Sequence, residues 1–134
     1  MKLSSLLSPL SITKGYQDVE ISDIVYDSRK AVPGCAFVCL RGANSDGHKY
    51  AQGAAQAGAV AVIAEEPVEA PGAQVILVED TRKALALMSA AFFGNPAQGD
   101  ITVIGVTGTK GKTTTAYMIR SILEAAGHKC GVIG

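Results

Sequence analysis

Along the first hundred positions short apolar runs alternate with polar, Gly- and Pro-bearing breaks, a rhythm that predicts short strands interleaved with helices. Leu3, Leu6, Leu7 and Leu10 recur at helical spacing, with Pro9 placed to end the helix early, and this segment is expected to lie as a lid on the core. Val19, Ile21, Ile24 and Tyr26 alternate with polar neighbours, which predicts a half-exposed strand over 19–26 with an irregularity near Ser22-Asp23. That strand delivers Asp27-Ser28-Arg29 to its end. Val32-Pro33-Gly34 is turn chemistry, and 35–40 reads as a more buried strand. Positions 41–47, Arg-Gly-Ala-Asn-Ser-Asp-Gly, form a polar loop rich in residues that turn or expose backbone amides. The pattern then predicts a small-residue helix over 48–58 closed by Gly58, a strand over 59–64, a surface turn over 65–72 and a strand over 74–78. Asp80 or Thr81 caps a helix whose buried stripe is Leu85, Met88 and Phe92, and Gly94-Asn95-Pro96 stops it.

After a polar linker over 97–100 the pattern changes. The run 101–106 has no polar face and is rich in β-branched residues, as expected of a parallel strand covered on both sides. It leads into Thr107-Gly-Thr-Lys-Gly-Lys-Thr-Thr-Thr115, which reads as a phosphate cradle. Gly108 and Gly111 permit positive φ and close backbone approach, and the helix that follows adds unpaired N–H groups and the positive end of its dipole. Lys112 supplies a point charge for the β and γ oxygens of a nucleotide, and the Thr113 hydroxyl is placed to ligate magnesium. The general P-loop pattern is met imperfectly, since Val106 stands where its first glycine would fall, flanked by Gly105 and Gly108. Ile119, Ile122, Leu123 and Ala126 carry the helix stripe, Gly127 closes it, and 130–133 is strand-like. A single βαβ unit of about 35 residues cannot cover both faces of a nucleotide-binding sheet, so further chain is expected downstream.

Composition narrows the function classes. Apolar residues make up 48% of the 134, which describes a globular chain, and twelve basic residues cancel twelve acidic ones. No cationic field is present, so no nucleic-acid or membrane partner is expected. Nor does any apolar segment approach the roughly 18 residues of a membrane span. Cys35, Cys39 and Cys130, an odd count without a secretory leader, are expected as free thiols in a reducing cytoplasm. No nucleophile–base–acid constellation is apparent, which argues against a hydrolase acting through a covalent intermediate. Asp27 and Arg29 either position a ligand phosphate or form a solvated ion pair; His48 either contacts a ligand or opens the helix; His128 is a partner for a helix C-terminus.

Four groups of residues carry a family resemblance: Tyr26-Asp-Ser-Arg29, Pro33-Gly-Cys-Ala-Phe-Val38, Gly42 through Asp46-Gly-His48, and Gly105 through Thr115. Together they make the chain resemble the start of a Mur ligase, in the branch of tripeptide synthetases that add the third amino acid in peptidoglycan assembly. The resemblance implies an α/β fold: a small N-terminal domain over 1–96 that holds the uridine diphosphate end of the sugar substrate, a linker, and over 101–134 the first β–P-loop–α–β unit of a central ATPase domain. It implies that Tyr26 and Ser28 contact the uridine nucleotide, with Ala43, Asn44 and Ser45 lining the same pocket, Ala43 through its backbone. Gly108, Thr109, Lys110, Gly111, Lys112, Thr113 and Thr114 would hold the ATP phosphates, with Lys112 as the catalytic charge and Thr113 a magnesium ligand. Lys110 stands where family members usually have asparagine. The implied chemistry is ATP-driven amide formation on a UDP-MurNAc-dipeptide through an acyl phosphate, with lysine or diaminopimelate as the incoming amine.

Two alternatives stay open on the residues: a non-catalytic UDP-sugar-binding module, and the related ligase that attaches the terminal D-Ala-D-Ala dipeptide. The family's remaining metal ligands, modified lysine and amino-acid-selecting domain would lie beyond residue 134, so the chain alone is expected to be inactive. The full-length protein is expected to be a monomer, with a swapped oligomer as an alternative for the chain by itself.

Overall fold

Alternation within the short apolar runs decides the layering. In the computed structural model, which describes residues 1–43, 45–99 and 101–133, Ala36, Phe37 and Val38 are all buried, as are Ala61 through Ala64. Successive strand side chains point to opposite faces, so such runs require cover on both sides. Four strands answer the pattern: β1 (Ile24–Val25), β2 (Ala36–Val38), β3 (Ala61–Ala64) and β4 (Gln74–Leu77), all parallel in the order β1-β2-β3-β4. Their register sets Ala36 beside Ile24 and Ala61, and Ala61 beside Gln74.

On one face Ala36, Val38, Ala61, Ile63 and Ile76 meet Leu3, Leu6 and Leu7 of α1 (Leu3–Leu7) and Ala84 and Met88 of α3 (Thr81–Phe92). On the other, Phe37, Cys39, Val62 and Ala64 meet Ala51 and Ala54 of α2 (Ala51–Gln56). Alanines at the contact let α2 lie close to the sheet. The expected α/β class is therefore met, and the N-terminal leucines form the lid on the core.

Several elements differ from their predicted extents. The strand foreseen over 19–26 divides at Ser22-Asp23. Its first half bonds to the N-terminus, Leu3 N–H donating to the Val19 carbonyl and Ile21 N–H to that of Met1, while only Ile24–Val25 joins the sheet. The helix foreseen over 48–58 opens as a 3-10 turn at Gly47–Tyr50, because Asp46 accepts the His48 N–H and tightens the first turn. In α3 the fully buried positions are Thr81, Ala84 and Met88, with Leu85 and Phe92 only partly buried; Ala84 and Met88 are the ones that join the core on that face. Asp80 is the cap, its Oδ1 accepting the Lys83 N–H at 2.9 Å.

By packing, the chain divides into two compact units, Met1–Gly99 and Asp100–Gly134. The second is built around α4 (Lys112–Ala125). The strands expected over 101–106 and 130–133 form no ladder among the described residues. A strand exists by pairing, and these segments have no paired neighbour, so Ile101, Val103 and Ile104 stay exposed, as do Tyr117, Met118 and Ile122 of α4. Among the described residues no helix is long and apolar enough to cross a membrane.

All three cysteines are free thiols. Burial pushes the Cys35 thiol up and that of Cys39 to about 12, while Cys130 is partly exposed. A thiol reagent at mildly alkaline pH is therefore expected to label Cys130 alone in the native chain and all three cysteines in denaturant, as counted by mass spectrometry. Native labelling of Cys39 would contradict the packing of β2.

Candidate functional site

Because the four strands run parallel, their C-terminal ends share one edge of the sheet, where the loops that follow them collect. After β1 come Tyr26 and Ser28. The Tyr26 ring is 62% exposed, and half-buried Ser28 opens a 3-10 turn at Ser28–Lys30. Asp27 caps that turn by accepting the Arg29 N–H at 3.0 Å, and also takes the Arg29 guanidinium on both oxygens, at 2.9 and 2.7 Å. Of the two readings open for this pair, the structure gives the exposed ion pair. Hydrogen bonds from Arg29 hold the Asp27 carboxyl down at about 2.

After β2 comes the 41–47 loop. Its base is closed by a bridge between Arg41 and Asp46, and Gly42 and Gly47 donate to the carbonyls of Ser45 and Leu40, both at 2.8 Å. Gly47 is required by close approach, since an added Cβ would lie 2.6 Å from the Leu40 nitrogen. Ala43 and Ser45 are exposed toward the tip; Asn44 lies outside the described residues. Tyr26 and Ser28 thus follow one strand and Ala43 and Ser45 the next, at adjacent strand ends.

A polar network ties these ends together. His48 is buried between Asp46, 2.6 Å from its Nδ1, and the Glu65 N–H, 3.0 Å from its Nε2. Glu65, after β3, accepts the Thr81 N–H and hydroxyl at the start of α3, at 3.0 and 2.9 Å. Arg41 reaches Asp46 at 3.4 Å, Glu65 at 3.6 Å and Glu66 at 2.8 Å, and Arg82 donates to the Arg41 carbonyl at 2.7 Å. Donors from Thr81 and from His48 hold the Glu65 and Asp46 carboxyls below their ordinary range. Sequence reasoning did not single out Arg41, Glu65 or Glu66, and offered Thr81 only as an alternative cap for α3. The available signal was their shared position just after predicted strands, which a parallel sheet gathers on one edge. A cavity of about 320 Å³ lined by Ser89, Phe93 and Pro96 lies at the other end of α3, outside this cluster.

In the second unit, the backbone turns at Gly108 (φ +152°) and Gly111 (φ +75°), and α4 starts immediately afterwards with no side chain capping its N-terminus. Lys112 folds back so that its Nζ donates to the Gly108 carbonyl at 2.6 Å. A Cβ at Gly108 would lie inside this turn, 3.7 Å from the Lys110 oxygen and 4.0 Å from Lys112 Cγ. Thr109, Lys110, Thr113 and Thr114 are exposed around it. Free helix N–H groups, a glycine-lined hollow and an ammonium on its rim fit an anionic phosphate group.

Residues 20–93 match the family described as Mur ligase family, catalytic domain. The chain belongs to the Mur ligase family. Its residues 106–134 match the Mur ligase middle domain, so the phosphate turn falls in that second match. Among curated Mur ligases, the UDP-N-acetylmuramoyl-L-alanyl-D-glutamate--2,6-diaminopimelate ligases of Syntrophomonas wolfei and Clostridium perfringens are 47% and 46% identical over 100% of this chain. The chain spans 28% of the length of each. A solved 2,6-diaminopimelate ligase of the same name superposes with a TM-score of 0.72 at 28% identity, over 100% of this chain and 28% of that one. The MurF ligase of Thermotoga maritima, solved in complex with ADP, superposes with a TM-score of 0.62 at 34% identity, over 77% of this chain and 23% of that one.

Two consequences can be measured. The Asp27 carboxyl, ordinarily near 3.8, is depressed by its Arg29 pairing, so its stabilising effect is complete above about pH 4 and is lost as pH falls toward 2. A carbon-detected titration is expected to show that low midpoint, and an ordinary midpoint would mean that the pair is not held in solution. Gly47→Ala is expected to lower unfolding stability by about 1–3 kcal/mol, read from the denaturant midpoint, because the new methyl group meets backbone rather than a flexible side chain.

Proposed function

We propose that this chain is the N-terminal portion of an ATP-dependent ligase that adds 2,6-diaminopimelate to UDP-N-acetylmuramoyl-L-alanyl-D-glutamate, the third-residue step of peptidoglycan assembly. The observation that carries this reading is the 47% identity to a ligase of that name, which extends over the whole chain and so through both units. A ligase for the terminal D-alanyl-D-alanine step is the weaker reading, since a solved enzyme of that name from Acinetobacter baumannii is 32% identical over 91% of this chain.

In this proposal the unit Met1–Gly99 takes the uridine diphosphate end of the substrate and the unit Asp100–Gly134 takes ATP. The exposed Tyr26 ring offers a face for the base, Ser28 a hydroxyl, and the Ala43–Ser45 tip its backbone amides and the Ser45 hydroxyl; Asn44 joins them by its place in the sequence. Gly108, Thr109, Lys110, Gly111, Lys112, Thr113 and Thr114 surround the phosphates. Lys112 would leave the Gly108 carbonyl to meet the developing charge, and Lys110 adds a second cation on the rim. Magnesium, when bound, would neutralise phosphate oxygens, with the Thr113 hydroxyl as the ligand supplied by this stretch. The setting is cytoplasmic, and the full-length ligase acts as a monomer without nucleic-acid or membrane partners.

Calorimetric titrations of UDP and of magnesium-ADP into the chain test the assignment of the two units separately. Ser28→Ala is expected to weaken UDP about threefold to tenfold and leave ADP unchanged. Lys112→Met should weaken ADP by about tenfold or more and leave UDP unchanged. A chain that binds neither, or variants whose effects cross over, would refute the assignment.

A further inference from the structure

Among the groups at the strand ends, His48 is a buried titratable side chain that no proposed ligand contact uses; 4% of it is exposed. A backbone amide can only donate, so the Glu65 N–H at 3.0 Å makes Nε2 the acceptor and leaves the ring proton on Nδ1. That proton goes to Asp46 Oδ1 at 2.6 Å, and the same oxygen takes the His48 backbone N–H at 3.0 Å. Both ring nitrogens are therefore committed. Asp46, His48 and Glu66 lie close enough together to suggest a cation site, yet the imidazole has no lone pair left to offer one.

The imidazole instead spans two strand ends. On one side is Asp46, which closes the 41–46 loop through its bridge to Arg41; on the other is the first residue after β3. Glu65 passes the connection on to the N-terminus of α3 through Thr81, and Arg41 returns it to the loop through Glu65 and Glu66. The loops after β2 and β3 and the start of α3 are thereby cross-linked by polar contacts, two of them made by one ring.

We propose that His48 is a positioning residue: as an Nδ1–H imidazole it locks the Arg41–Asp46 base of the loop to the end of β3 and so places Ala43 and Ser45 for the sugar nucleotide. The proposal rests on the sugar-nucleotide reading given above. A loop held before binding loses less conformational freedom when the ligand arrives, so the strut acts on affinity as well as on fold.

The test uses the whole 134-residue chain with UDP as probe and magnesium-ADP as the control ligand. His48→Asn keeps a donor near Asp46 and falls short of the Glu65 N–H; His48→Gln reaches the Glu65 N–H with an acceptor and gives up the donor. Each is expected to weaken UDP about threefold to tenfold, one lost hydrogen bond's worth, with ADP affinity unchanged. Amide exchange at Gly42 and Gly47 should quicken in both. Folded variants with wild-type UDP affinity and wild-type exchange overturn the proposal, and so does a lowered melting temperature with unchanged UDP affinity, which marks a purely structural role. If neither variant folds, the imidazole nitrogen spectrum of the unaltered chain decides: a protonated Nδ1 with a bare Nε2 upholds the strut, and the other tautomer overturns it. An unaltered chain that fails to bind UDP overturns the sugar-nucleotide reading itself, an outcome distinct from variants that bind as tightly as a binding wild type.

Discussion

Parallel pairing of β2 with β3, buried on both faces, is the constraint on which the first unit depends. Antiparallel neighbours would send successive loops to opposite edges. Parallel ones send the chain back beneath the sheet each time, so every strand ends at the same edge and the loops that follow the strands start there. The return path must also cover a face, which is why α2 is built of alanines and why the N-terminal leucines are recruited to the other side. Site and core are thus two results of one topology: the alternation that buries Phe37 and Cys39 on one face and Val38 on the other also fixes where the 41–47 loop begins.

The polar network at that edge has a physical logic of its own. Short strands of two to four residues give weak ladders, and the loops after them would otherwise be free to move. Charged side chains there are partly exposed, so single ion pairs contribute little. What stiffens the edge is the set of directed bonds with fixed partners: Asp46 and Glu65 each cap a helical turn while also serving the network, so moving either carboxylate breaks one backbone N–H bond and at least one side-chain contact together. Glu65 caps α3 from a different loop, sharing that terminus with Asp80.

How much of this was legible in the sequence follows from the range of each interaction. Leu3, Leu6 and Leu7 announced their helix by spacing, Asp80 its cap by type and place, and the glycine-lysine-threonine stretch its turn into α4, because each signal is read within a few residues. Even the split of the first predicted strand was marked at Ser22-Asp23. The network was not legible, since Arg41 and Glu66 or Glu65 and Thr81 meet only once the parallel register is fixed, and nothing local to either residue encodes the partner. His48 shows the difference best. Its position after Asp46-Gly47 suggested a helix opening, which it provides, but its second bond, to the backbone of a residue in another loop, belongs to the fold.

The second unit reverses that relation between local and distant information. The stripe expected at Ile119, Ile122, Leu123 and Ala126 is not buried: Ile122 and Ala126 lie open, as do Tyr117 and Met118, and the flanking extended segments find no ladder among the described residues. Hydrophobic periodicity states that a face expects cover without stating what supplies it. The glycine-lysine turn is formed all the same, because Gly108, Gly111 and the start of α4 are set by backbone conformation and one lysine contact rather than by packing. A turn specified so locally takes its shape without a paired sheet beside it. The strand-end edge of the first unit cannot, since it exists only when strands distant in sequence have already paired.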